Sequence, residues 1–114
     1  MTTKIVFAAV FILVIGLQAQ KFIGKVAPEE AHRLVESGAK LIDVRTPGEY
    51  SDGHIEGAKN LPLQSLDSRM SEIGDKSGTV VVYCRSGVRS ASAKRMLEGA
   101  GFTDVHDLGA MSRW

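Results

Sequence analysis

Behind an apolar N-terminal run, the chain alternates short, continuously apolar stretches with stretches in which apolar residues recur at helical spacing. Pro28 is a favourable first residue for a helix, and Glu29 and Glu30 sit where the helix dipole favours acids. Ala31, Leu34 and Val35 then form one apolar face, and Gly38 supplies a stop. Lys40 to Val44 reads as a short buried strand, followed by the turn and helix-start residues Thr46, Pro47 and Gly48, with Glu49 and Tyr50 on a brief helix. Gly53 and Gly57 break the chain before a second short strand, Ala58 to Leu61. Leu63, Leu66, Met70 and Ile73 predict a helix ended by Gly74. Thr79 to Tyr83 is β-branched and aromatic, the composition of a central strand buried on both faces. Ala93, Met96, Leu97 and Ala100 mark the inner face of a helix that stops around Gly99 to Gly101, and Phe102 to Leu108 predicts the last strand. Strands that alternate with helices predict an α/β fold, a mostly parallel central sheet with helices on both faces. In such sheets the functional groups gather beyond the carboxyl ends of the strands.

The N-terminal run changes the domain boundaries. Ile5 to Leu17 carries no charge, follows Lys4, and leaves through Gln18, Ala19 and Gln20, a pattern that resembles a secretory signal peptide with cleavage after Ala19. Leu17 stands where a small residue is favoured, so retention as an N-terminal anchor is the alternative, although the run falls short of the roughly twenty apolar residues of a membrane-spanning helix. Residues 1–19 are therefore expected to be a signal peptide or anchor, and residues 25–114 one domain. The protein is expected in the periplasm or secreted, or anchored to the membrane and facing the periplasm. Membrane contact is expected only if the segment is retained.

Composition narrows the function classes. A chain of 114 residues with 44% hydrophobic and 24% charged residues is an ordinary globular chain. Loss of Lys4 would take the formal charge from +1 to neutral, and with no polybasic tract and 6% aromatic residues nothing points to nucleic acid. A single cysteine, Cys84, excludes an internal disulfide and a cysteine-based metal cage; neither metal nor cofactor is expected.

The chemistry concentrates at that cysteine. Cys84, Arg85, Ser86, Gly87, Val88, Arg89 and Ser90 link a buried strand to an amphipathic helix, and Gly87 allows a sharp turn. Amide N–H groups in such a loop, backed by the positive end of the following helix, form an anion site and favour the thiolate. Between Lys76 and Leu97 every charged residue is basic: Lys76, Arg85, Arg89, Lys94 and Arg95. A guanidinium of Arg85 or Arg89 can hold two oxygens of an oxyanion such as thiosulfate while the thiolate attacks its outer sulfur. A free cysteine at a strand end is often only a small hydrophobe; its company here argues for reactivity.

Several separated motifs, in order, resemble the rhodanese family, in particular its small exported single-domain bacterial members. They are Asp43, Val44 and Arg45; Glu49 and Tyr50; Gly53, His54, Ile55, Glu56, Gly57 and Ala58; Asn60 and Pro62; Cys84 through Arg89; and Gly109, Ala110 and Trp114. The resemblance implies a rhodanese-like fold and a thiosulfate sulfurtransferase of the thiosulfate:cyanide type. Cys84 would be the catalytic persulfide carrier, with Arg85, Ser86, Gly87, Val88 and Arg89 binding the substrate. Its partners would be a small-molecule sulfur donor and a thiophilic acceptor, either cyanide or a thiol, with a protein as a further candidate acceptor. A persulfide carrier or binding module serving protein partners is the alternative. A phosphatase or arsenate reductase is the weaker reading, because the loop from Cys84 to Arg89 has the six-residue length associated with sulfur transfer. Ala110 in place of a second glycine, and a chain end at Trp114 short of a terminal helix, depart from the family pattern.

The remaining polar candidates read as structural. Asp43 and Arg45 are expected to form a hydrogen-bonded brace, and His54 to organise its loop. His106 is expected to be structural or surface-facing, and His32 to lie on the exposed side of the first helix. Lys94 and Arg95 read as solvated cations that steer anions.

Overall fold

The computed structural model describes residues 24–114; the signal-peptide or anchor assignment to residues 1–19 falls outside them. Among the described residues four α-helices and four strands alternate: α1 (Pro28–Glu36), β1 (Lys40–Asp43), α2 (Pro47–Asp52), β2 (Lys59–Asn60), α3 (Leu63–Arg69), β3 (Val80–Cys84), α4 (Val88–Gly99) and β4 (Val105–Ala110). The sheet order is β2-β1-β3-β4, and each ladder is parallel.

Period-two alternation sorts the side chains to two covers. Val80, Val82 and Cys84 of β3, with Ile42 of β1, face Leu66 of α3 and Ala93 and Leu97 of α4. Val81 and Tyr83, with Leu41, face Ala31 of α1, and Leu34, Val35, Tyr50 and Trp114 pack around them. All five residues of β3 are buried, as a central strand covered on both faces requires. At about 25 cal/mol per Å² of apolar surface removed from water, these two layers are the main favourable contribution to folding.

Several boundaries differ from expectation for local reasons. The last strand begins at Val105, not Phe102. Phe102 N donates back to Leu97 O at 3.0 Å and Thr103 N to Lys76 O at 3.1 Å, so these residues close the turn after α4. The strand also runs past Leu108, because a register shift lets Tyr83 pair with Gly109 and Cys84 with Ala110. This bulge lies beside Cys84, where an extra residue re-aims its neighbours. The helix expected to reach Gly74 tightens into a 3₁₀ turn at Met70–Glu72. His32 is not on an open face: its ring stacks on Trp114 with centroids 3.6 Å apart, and Nε2 lies 2.8 Å from the Trp114 carbonyl oxygen. The terminal tryptophan thereby covers α1 and closes that side of the core.

Candidate active site at the carboxyl end of β3

β3 delivers Cys84 to the carboxyl edge of the sheet, and α4 starts four residues later. The turn between them depends on Gly87, which caps α4 at φ +101°, a left-handed conformation that side-chain-bearing residues seldom adopt. The turn folds over the cysteine, leaving Cys84 0% exposed. Gly87 N donates to Cys84 Sγ at 2.9 Å, and Sγ lies 3.5 Å from Ser90 Oγ, which itself donates to Gly87 O at 3.2 Å.

The backbone N–H groups of Arg85, Ser86, Val88, Arg89 and Ser90 donate to no carbonyl among the described residues, and α4 has no side-chain cap. Unpaired N–H groups at the start of a twelve-residue helix attract negative charge. They suit an oxyanion bound above Sγ.

The two arginines of the loop differ in their engagements. Arg89 faces Glu49 of α2 through a two-pronged pair, Nη1 to Oε1 at 2.6 Å and Nη2 to Oε2 at 2.9 Å. This bonding raises the Arg89 pKa and brings the Glu49 carboxyl down to about 2, helped by the Thr46 backbone N–H. Thr46 and Glu49 also form a reciprocal capping box at the start of α2, so Glu49 ties two helix starts together. Arg85 is exposed and has no hydrogen bond or ion pair among the described residues. Of the two guanidiniums expected to hold an oxyanion, Arg85 therefore has its full fork available, while two prongs of Arg89 are occupied. Ser86 is exposed, and Val88 is 73% exposed, the one large apolar side chain so displayed among the described residues.

The residues read as structural fall into place around this loop. Asp43 Oδ1 accepts from Arg45 N at 2.9 Å and Oδ2 from Arg45 Nη2 at 2.7 Å, and the same Nη2 donates to Gly53 O at 2.7 Å. The Arg45 guanidinium carbon lies 5.7 Å from the centroid of the Tyr83 ring. Tyr83 OH accepts from Ile55 N at 3.1 Å, and burial pushes the phenol pKa up. His54 Nδ1 lies 2.8 Å from Tyr50 O, with its ring stacked on Tyr50. His106 pairs with Asp104 at 2.7 Å. No cluster of metal-ligating side chains occurs among the described residues.

Ser90, the pairing of Glu49 with Arg89, and Lys25 with Asp107 belong to the site without being singled out by residue order. In the sequence Ser90 reads only as the end of the loop. The partnership of Glu49 with Arg89 spans forty residues, beyond any local pattern, although Thr46 and Glu49 spell a capping box. Lys25 and Asp107 meet beside Gly87; an aspartate within the last strand is the one local signal of this pair.

Comparison with known proteins agrees with this geometry. The model of the rhodanese-like domain matches residues 27–114. The uncharacterized protein YqhL of Bacillus subtilis is 41% identical over the whole of this chain and 91% of its own length. Thiosulfate sulfurtransferase PspE of Escherichia coli is 41% identical over 61% of this chain and 68% of its own. The solved structure of a rhodanese with anions from E. coli superimposes with a TM-score of 0.65 at 37% identity, covering 68% of this chain and 92% of that one.

Proposed function

Because this chain belongs to the rhodanese-like domain family, we propose that it is a thiosulfate sulfurtransferase that carries sulfane sulfur as a persulfide on Cys84. The Cys84 thiolate attacks the outer sulfur of thiosulfate. A sulfur–sulfur bond forms to Sγ, the bond to the inner sulfur breaks, and sulfite leaves with the electron pair. A thiophilic acceptor, cyanide or a thiolate, then attacks the terminal sulfur and returns Cys84 as thiolate, giving thiocyanate or an acceptor persulfide. Arg85 meets the sulfonate oxygens of the donor, and the loop N–H groups from Arg85 to Arg89 stabilise the charge on the transferred sulfur.

The observation that carries this reading is the Gly87 N–H placed 2.9 Å from a fully buried Sγ, beneath a loop with unpaired N–H groups. Such a pocket suits a softly charged sulfur anion better than an inert core thiol. The test is intact mass of the purified, reduced protein after thiosulfate and then cyanide, with thiocyanate assayed alongside. A gain of one sulfur that cyanide removes as thiocyanate is expected. Absence of any gain in folded protein would overturn the reading and favour a phosphatase-like or purely binding role.

A second reading has a specific observation behind it. The exposed Val88 stands between Arg85 and Arg89 on the lip of the loop, and an apolar contact flanked by cations suits a protein sulfur acceptor. In that case transfer to small acceptors is slow and transfer to the partner fast. We also propose that the domain works outside the cytoplasmic membrane, on the strength of the apolar run Ile5 to Leu17. The N-terminal mass of the protein from its producing cell, taken from membrane and soluble fractions, tests this: a start at Gln20 supports export with cleavage, an intact Met1 in the membrane fraction supports the anchor, and an intact Met1 in the soluble fraction overturns the proposal in favour of a buried helix.

A further inference from the structure

Lys25 lies ahead of α1 and outside residues 27–114 that the family model matches, yet its side chain reaches the Cys84 loop. Its backbone bridges in parallel to Asp107, and Val26 N donates to Asp107 O at 2.8 Å. The Lys25 ammonium donates to Asp107 Oδ2 at 2.5 Å and to Gly87 O at 3.2 Å, with only 16% of the side chain exposed. Asp107 Oδ1 accepts from Gly109 N at 2.8 Å, which holds the bulge of β4. The lysine stem runs across both glycines: a Cβ at Gly109 would meet Lys25 Cδ at 3.3 Å, and one at Gly87 would meet Lys25 Cε at 3.6 Å. Two glycines of the site are thus packed against one lysine.

Gly87 is the residue on which these contacts converge. Its carbonyl accepts from Lys25 Nζ, from Ser90 Oγ and from Ala91 N, each at 3.2 Å, while its N–H is the donor 2.9 Å from Sγ. Fixing the carbonyl fixes the left-handed backbone, and the backbone aims the N–H. The charges around the loop are Arg85, Arg89 with Glu49, Lys25 with Asp107, Arg45 with Asp43, and Arg113 beside Gly109. Because Asp107 neutralises Lys25, the lysine acts on the thiol chiefly through geometry.

We propose that Lys25 is a positioning residue for Cys84, holding Gly87 through its carbonyl and through Asp107 so that the Gly87 N–H is kept on Sγ. The proposal deepens the sulfurtransferase reading, on which its functional meaning rests, and extends the working site beyond the residues of the family domain.

The test measures the pH dependence of iodoacetamide alkylation of Cys84 in the full chain, well below the melting temperature, for the wild type, K25M and K25R. K25M keeps the stem and removes the donor together with the charge that offsets Asp107; K25M/D107N, which removes both charges, is measured beside it, and a profile restored to the wild type in that double variant overturns the geometric clamp. The thiolate fraction of K25M near neutral pH is expected to fall about three- to tenfold, with the profile moved to higher pH, and K25R is expected to recover most of the loss. An alkylation profile of K25M that superimposes on the wild type overturns the proposal, even if the melting temperature has dropped. Should K25M fail to fold, K25L, which likewise lacks the donor, is measured in its place under the same criterion. Alkylation needs no sulfur donor, so the two readings fail separately. Persulfide formation with an unchanged K25M profile sinks the clamp alone; a shifted profile without any persulfide sinks the sulfurtransferase reading alone.

Discussion

β1 and β3 are hydrogen-bonded neighbours that end on the same edge of the sheet, Asp43 pairing with Tyr83 one residue before Cys84. Each then enters a short turn that starts a helix, α2 behind Thr46 and α4 behind Gly87. At the end of β1 the polar groups satisfy one another: both Asp43 oxygens are taken by Arg45, Arg45 continues to Gly53 O, and Asn60 Nδ2 donates to the carbonyls of Asp43 and Arg45. At the end of β3 the thiol is met by one backbone N–H and one hydroxyl, and among the described residues several N–H groups find no partner and Arg85 keeps its fork. The carboxyl edge of a parallel sheet supplies equivalent places. What separates a brace from a site is which of them is left with unspent hydrogen-bonding capacity.

The contrast breaks most visibly at the two strand ends themselves. Cys84→Ala is expected to lower the rate of thiocyanate formation by about a thousandfold or more, as loss of a nucleophile does, while circular dichroism and the melting temperature change little. Retained turnover would end the persulfide mechanism. Asp43→Ala should do the reverse. With Arg45 buried and without its partner, the fold loses about 3–5 kcal/mol, read from urea unfolding, and the protein that stays folded still takes up sulfur. A stable D43A variant with no sulfur uptake would mean that Asp43 belongs to the chemistry.

Smaller effects sharpen the comparison. Arg85→Ala is expected to raise the thiosulfate concentration at half-maximal rate about tenfold, which corresponds to about 1.4 kcal/mol of lost donor binding, with little change in kcat. A pure kcat effect would instead place Arg85 on the transition state. The smallest effect concerns Glu49, whose pKa is drawn from 4.5 to about 2, first by its bond to Arg89. A carboxyl that is more acidic when folded releases its proton sooner in the folded state. Its stabilisation is therefore complete above pH 4.5 and disappears as the pH falls toward about 2. The stability difference between wild type and Glu49→Gln should narrow through that window; a difference constant with pH would mean that the pair does not stabilise the fold.

Much of this was legible from residue order. The all-apolar run before Cys84 fits a strand covered on both faces, Pro28 and Gly38 bracket α1, and Gly87 between the cysteine and an amphipathic helix marks the left-handed turn. The ends of β4 were not legible, because its extension to Ala110 is set by pairing across the sheet with Cys84. The surroundings of His32 were equally hidden: the Trp114 that covers it lies 82 residues away.

Residue order by itself determined the succession of strands and helices, the parallel sheet that this succession requires, and the one place where a thiol, a glycine and cations coincide. These are local properties, fixed by side-chain period, backbone freedom and charge within a few positions. Only the tertiary structure decided which of the two loop cations is left without a partner among the described residues. Arg85 and Arg89 are the same residue type in the same loop, and they differ because α2 brings Glu49 to one of them. Likewise Lys25 becomes part of the site only because it bridges to β4 beside the bulge. Partners so distant in sequence are chosen by packing, and no local pattern encodes them.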